Sequence, residues 1–118
     1  MNSDDMRKRT KAFALRIIRL AGELPNDRVG DILGRQVLRS GTSIGSNYRE
    51  ALRGSSHRHF ITLIETALRE SDETSYWLEL LTESGMIEPD RLADLLRESG
   101  ELTAILAATA RTAKHRKE

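Results

Sequence analysis

Arg53 and His59 stand with five residues between them in the stretch RGSSHRH, and they are the pair with the clearest catalytic potential in this chain. A histidine near neutrality can take the proton of a ribose hydroxyl, while an adjacent guanidinium neutralises charge growing on a phosphate. The plainer use of such residues is a solvated helix start, because two residue types at loose spacing recur by chance. His57 and His59 supply two metal ligands at most, short of a coordination sphere. Glu70 and Glu73 share the i, i+3 spacing of a carboxylate pair, but a di-iron bundle also needs Glu-x-x-His pairs on facing helices, and the sequence has none. The glycine-containing stretch GTSIGS, residues 41–46, has no strand before it and no lysine after it, so it does not read as a phosphate loop. These residues name no reaction, and the expectation is a non-enzymatic protein that needs no cofactor and no metal.

The elements that position them are helical. The chain has 118 residues, 38% hydrophobic and 31% charged, which fits one globular domain over residues 1–118. It has no cysteine, so disulfides and thiolate metal sites are excluded. No apolar run approaches the roughly 20 residues that span a bilayer, and the N-terminus lacks the apolar stretch of a secretory signal. A cytoplasmic protein without membrane contact is expected. Apolar residues recur every three or four positions in four segments, and period-two alternation never persists. Helix one is expected from about Asp4 to Leu24, with Met6, Phe13, Ile17, Leu20 and Leu24 inward and Ala14, Ile18 and Ala21 widening that face. Pro25 stops it. Helix two should run from Asp27 to Arg53, helix three from the Ser55 and Ser56 caps to Ser84, and helix four from Pro89, where Gly100 offers a kink. Links of a few residues favour antiparallel neighbours, so the fold class is all-α, an antiparallel up-down-up-down four-helix bundle.

Helix two has a heptad seam, Leu33, Val37, Ser40, Ile44, Asn47 and Ala51, flanked by Gly41 and Gly45. Each mid-helix glycine costs about 1 kcal/mol against alanine, which a closer approach of a neighbouring helix would offset. Asn47 on that seam should be buried and hydrogen-bonded across to helix three, where Ser71, Thr74, Glu70 and Glu73 are the candidates. On helix three, the run YWLELL holds more apolar area than one seam uses, and it marks Tyr76, Trp77 and Leu80 as an intersubunit surface.

The 19 basic and 18 acidic residues almost cancel, yet the topology separates them. One pole gathers the N-terminus, the link between helices two and three, and the C-terminus, with Arg7, Lys8, Arg9, Lys11, Arg49, Arg53, Arg58, Lys114, Arg116 and Lys117. The other holds Glu23, Asp27, Asp31, Glu83, Glu88 and Asp90. Arg35, Arg39, Arg49 and Arg53 form an outward stripe on helix two. Together with Arg58, Lys114, Arg116 and Lys117 they make the candidate surface for RNA or DNA, through many weak phosphate contacts without base readout; the absence of interleaved aromatics counts against it.

The segment LRSGTSIGSNYREALRGSSHRHFI resembles the four-helix-bundle proteins first associated with intervening sequences in bacterial large-subunit ribosomal RNA genes. The shared positions are Ser40, Ser43, Ile44, Asn47, Glu50, Ser55, Ser56 and Phe60, and Glu70, Glu73 and Leu78 continue the match in helix three. Ala51 departs from it, standing where the family commonly has glycine, so the turn should begin later. The resemblance implies a homopentamer acting as a binding scaffold. A related bundle, the accessory variability determinant of diversity-generating retroelements, implies nucleic acid and a reverse transcriptase as partners. Two other readings stay open: a metal-independent ribonuclease of the HEPN type, whose Arg-then-His motif Arg53 and His59 resemble, and a purely protein-binding scaffold.

Overall fold

In the computed structural model, which describes residues 1–116, four helices follow one another: α1 Ser3–Glu23, α2 Arg28–Leu52, α3 His57–Glu83 and α4 Pro89–His115. Each boundary has a local cause. Asn2 caps α1 through a reciprocal box with Asp5, and Asp27 and Ser56 accept from the backbone NH groups of Gly30 and His59 at the starts of α2 and α3. Gly85, with φ of 82°, takes the left-handed turn after α3, and Pro89 opens α4. α2 continues through Ala51 to Leu52, so the turn does begin later than the usual glycine position. α4 is a single helix through the exposed Gly100.

Each helix packs on its chain neighbours, and the diagonal pairs α1–α3 and α2–α4 make no close backbone approach among the described residues. The result is a square bundle 49 Å long and 22 × 20 Å across. Phe13, Ile17, Val37, Ile44, Ile64, Leu78, Leu81, Leu92, Leu102 and Leu106 fill one continuous core.

The sides of the square differ. At α1–α2 the backbones meet through glycine: a Cβ on Gly41 would stand 2.8 Å from Ile17 Cγ1, and one on Gly45 would stand 3.1 Å from Thr10 Oγ1. The α1–α4 side is held by long ion pairs. Arg9 grips Glu98 with two hydrogen bonds, 2.7 and 2.8 Å, and also reaches Glu101. Arg16 bonds Asp94 at 2.8 Å, and Arg91 pairs with Glu23. The Glu98 bonds raise the Arg9 pKa above its ordinary value, so that charge is permanent.

Two expectations about packing need correction. Asn47 is only half-buried, and its amide donates to the Ser43 carbonyl of its own helix at 2.8 Å. A seam of period 3.5 drifts by about 20° per heptad on a straight helix, which leaves Asn47 at the edge while Ser40, Ile44 and Ala51 stay inside. The buried bond from α2 to α3 is made instead by Thr74, whose hydroxyl donates to Ser40 Oγ at 2.9 Å. Glu70 and Glu73 hold Arg39, not Asn47. The second correction is Ile18, which is 50% exposed, so it does not widen the inward face of α1.

Between α3 and α4 the buried hydroxyls continue: Ser71 bonds Thr103 at 2.7 Å and Ser75 bonds Ser99 at 2.8 Å. Among the described residues no buried side-chain nitrogen or oxygen lacks a partner, so this polar layer carries no desolvation penalty of an orphan group. Among those residues no helix is long and apolar enough to cross a membrane.

Candidate functional site

Arg7 and Lys11, four apart on α1, and Arg49 and the C-cap Arg53, four apart at the end of α2, line a cleft of about 470 Å³ on the outer side of the α1–α2 pair. The floor is Thr10, Ala14, Thr42, Gly45 and Ser46. It is shallow in side chain because Gly45 brings the two backbones together, so the long cations form the walls. Thr42 and Ser46 donate their hydroxyl protons to the Leu38 and Ser43 carbonyls of their own helix.

Arg7 is shared with Asp4 at 2.8 Å, and Asp4 also pairs with Lys8. Those bonds hold the Asp4 carboxyl below its ordinary pKa, Arg7 contributing most. Lys11, Arg49 and Arg53 have no ion partner among the described residues, although Glu50 lines the same cleft. Arg49 and Arg53 stand at the C-terminal end of α2, where the helix dipole favours cations.

The other residues expected to bind nucleic acid are placed differently. Arg39 is engaged by Glu70 and Glu73, and Glu73 also accepts the Trp77 indole NH at 2.9 Å. Lys114 pairs with Glu65. Arg35 lies in a separate groove with Ala21, Gly22, Asp31 and Leu38, and Arg58 is exposed on the first turn of α3. Arg116 borders an apolar groove with His57, Phe60, Ile105 and Thr109. Lys117 lies outside the described residues. Arg7 and Lys11 were visible as charges of the basic pole but were not assigned to the surface. Their i, i+4 spacing, matching that of Arg49 and Arg53, is the signal that pairs the two helices across one cleft.

Arg53 and His59 do not share a cavity: His59 is exposed, and its Cδ2 stands 3.2 Å from the position a Cβ on Gly54 would take. His57 Nε2 lies 2.7 Å from the Ala113 carbonyl, tying the start of α3 to the end of α4. Among the described residues no group of three or more His, Asp or Glu side chains could hold a metal ion. Of the residues assigned to an intersubunit surface, Tyr76 is 54% exposed and stacks obliquely on Trp77 at 5.4 Å, while Trp77 and Leu80 are half-buried.

Comparison with known proteins places this geometry. A family model described as 23S rRNA-intervening sequence protein matches residues 3–108. A crystal structure from Bacteroides thetaiotaomicron VPI-5482, described as a protein of unknown function from the S23 ribosomal protein family, is similar with a TM-score of 0.87 and 35% identity. The match covers 94% of this chain and 99% of that one. No curated protein matches the chain.

Proposed function

The chain belongs to the 23S rRNA-intervening sequence protein family, and on that premise we propose that it is a non-enzymatic, homopentameric scaffold that contacts nucleic acid through the α1–α2 cleft. The observation that carries this reading is the cleft's charge: Lys11, Arg49 and Arg53 share one cavity without an ion partner among the described residues. Like charges around one cavity repel, and a phosphate backbone relieves that repulsion while releasing counterions. The lining contains no aromatic side chain on which a base could stack, so the cleft binds through phosphate contacts, and these carry no sequence information. Assembly repeats the cleft, and many weak phosphate contacts then act together.

The test is a titration of labelled single- and double-stranded RNA and DNA at low and moderate salt. The Lys11→Ala, Arg49→Ala, Arg53→Ala triple variant should bind more weakly to every sequence, with a salt slope shallower by about one for each phosphate-contacting cation removed. No binding at low salt, by protein verified as folded and assembled, overturns the nucleic-acid reading and leaves a protein scaffold.

A further inference from the structure

α4 outruns the helix beside it. Arg16 reaches Asp94 and Arg9 reaches Glu98 and Glu101, and carrying that register on puts Ser3, the first residue of α1, about level with Ala107. α4 continues to His115. The corner of the square that α1 fills elsewhere is therefore vacant beside about eight residues of α4, roughly 12 Å of helix.

The side chains record that vacancy. Phe60 continues the α3 stripe of Ile64, Ala67, Ser71 and Thr74, all fully buried, yet Phe60 itself is only partly buried. On α4 the stripe that faces α1, Asp94, Glu98 and Glu101, changes chemistry where α1 ends, and its next positions are Ile105, Ala108 and Thr112. Together with Phe60 these three line a slot of about 630 Å³, to which α1 and α2 contribute nothing among the described residues. No carboxylate lines it. Arg116 stands at the end nearest the pole, exposed and without an ion partner among the described residues.

The size of the slot decides the kind of occupant. Roughly 12 Å of length and the width of one helix, about 10 Å, fall far short of the roughly 800 Å² per side that a stable protein interface buries. The volume, in contrast, lies within the roughly 300–1,000 Å³ of small-molecule sites, which have apolar walls and a few polar groups that fix orientation. We infer that the slot binds a small amphiphile, an unbranched alkyl carboxylate, with its tail along Phe60, Ile105 and Ala108 and its head at Arg116. The slot lies on α3 and α4, apart from the cation cleft between α1 and α2, so the two sites fill independently.

Hexanoate, octanoate and decanoate, titrated into the native protein below their micelle concentrations, should each saturate at one per chain. Affinity should rise about threefold per methylene, and the Ile105 and Ala108 methyl resonances should shift. Arg116→Gln should weaken decanoate roughly two- to fivefold and leave decanol unchanged. Ala108→Phe fills the slot from an exposed position and should abolish binding of both probes at an unchanged thermal midpoint. Thr112→Phe, also exposed, repeats that test should the first variant fail to fold. Decanoate that leaves the two methyls unmoved, or that still binds the filled variant, overturns the site. Decanol bound as tightly as decanoate overturns the anionic head. Intermolecular nuclear Overhauser contacts to Ile105 in the protein alone would show the slot filled by a second copy, and overturn the inference as well. Sedimentation with phosphatidylglycerol vesicles, without binding of decanoate in solution, would move the same chemistry to a membrane surface and overturn the free ligand.

Discussion

The Thr74 hydroxyl stands 2.9 Å from Ser40 Oγ, both side chains fully buried, and among the described residues this is a buried polar contact that registers α3 against α2, beneath the outer Arg39 pairs with Glu70 and Glu73. Ser40 in turn donates to the Gln36 carbonyl at 3.0 Å, so the pair is satisfied within the core. Thr74→Val keeps the shape and removes the donor, and it should cost about 1 kcal/mol in denaturant unfolding. Asn47→Ala loses only an edge bond to Ser43 and should stay within about 0.5 kcal/mol of the native protein. A larger loss at Asn47 than at Thr74 would reverse this ranking.

Gly41 and Gly100 should respond to alanine in opposite directions. At Gly41 the new Cβ meets the Cγ1, Cγ2 and Cβ atoms of the fully buried Ile17, and overpacking there should outweigh the gain in helix propensity, for a net loss of about 1–2 kcal/mol. At Gly100 nothing lies within 4 Å, and the variant should gain roughly 0.5–1 kcal/mol. Thermal or urea midpoints of the two variants read both signs.

Arg9 is three-quarters buried by its side chain, at 22% exposure, as is its partner Glu98. Arg9→Met leaves that largely buried carboxylate without its two-pronged donor, and should cost about 1–3 kcal/mol. Adding Glu98→Leu should restore part of the loss. A double-mutant cycle over the two positions measures the coupling.

Acid should weaken the α1–α4 side. The Asp94 carboxyl is held below its ordinary pKa by Arg16 first and Arg97 second. A depressed folded-state pKa contributes stability that is fully present above the unfolded value and is lost as pH falls through the folded value. The unfolding midpoint should therefore drop on the acid side of the ordinary aspartate range, about 3.9, and Asp94→Asn should flatten that part of the profile. The effect is small because the pair is exposed to solvent.

Much of the bundle could be read from the chain because its punctuation is local. Pro25, Ser56, Gly85 and Pro89 each bound a helix by their own local chemistry, and the helix ends fall within two residues of them. The cap by Asn2 and Asp5 is equally local. What the chain does not display is which helix faces meet. Arg35 and Arg39 belong to the same outward stripe, yet Arg39 alone finds Glu70 and Glu73, because that pairing depends on the rotation of α3 against α2. Ile18 follows Ile17 and has the same chemistry, but one step along the helix turns it away from the seam where Ile17 meets Gly41, and the width of the inward face is set by how closely α2 approaches. The cation cleft has the same origin, since Arg7 and Lys11 reach Arg49 and Arg53 only after glycine has brought α1 against α2.

The ion-paired side of the square also bears on how the chain reaches its native state. α1–α2, α2–α3 and α3–α4 are each a hairpin of sequence neighbours, whereas Arg9 and Glu98 are 89 positions apart. Closing so long a loop carries an entropy cost that the local hairpins avoid, so the hairpins form first and the α1–α4 side closes last. Unfolding then begins where folding ends. Substitutions at Arg9 or Arg16 should accelerate the unfolding limb of a chevron plot and leave the refolding limb nearly unchanged, whereas substitutions in the Gly41–Ile17 contact should slow refolding.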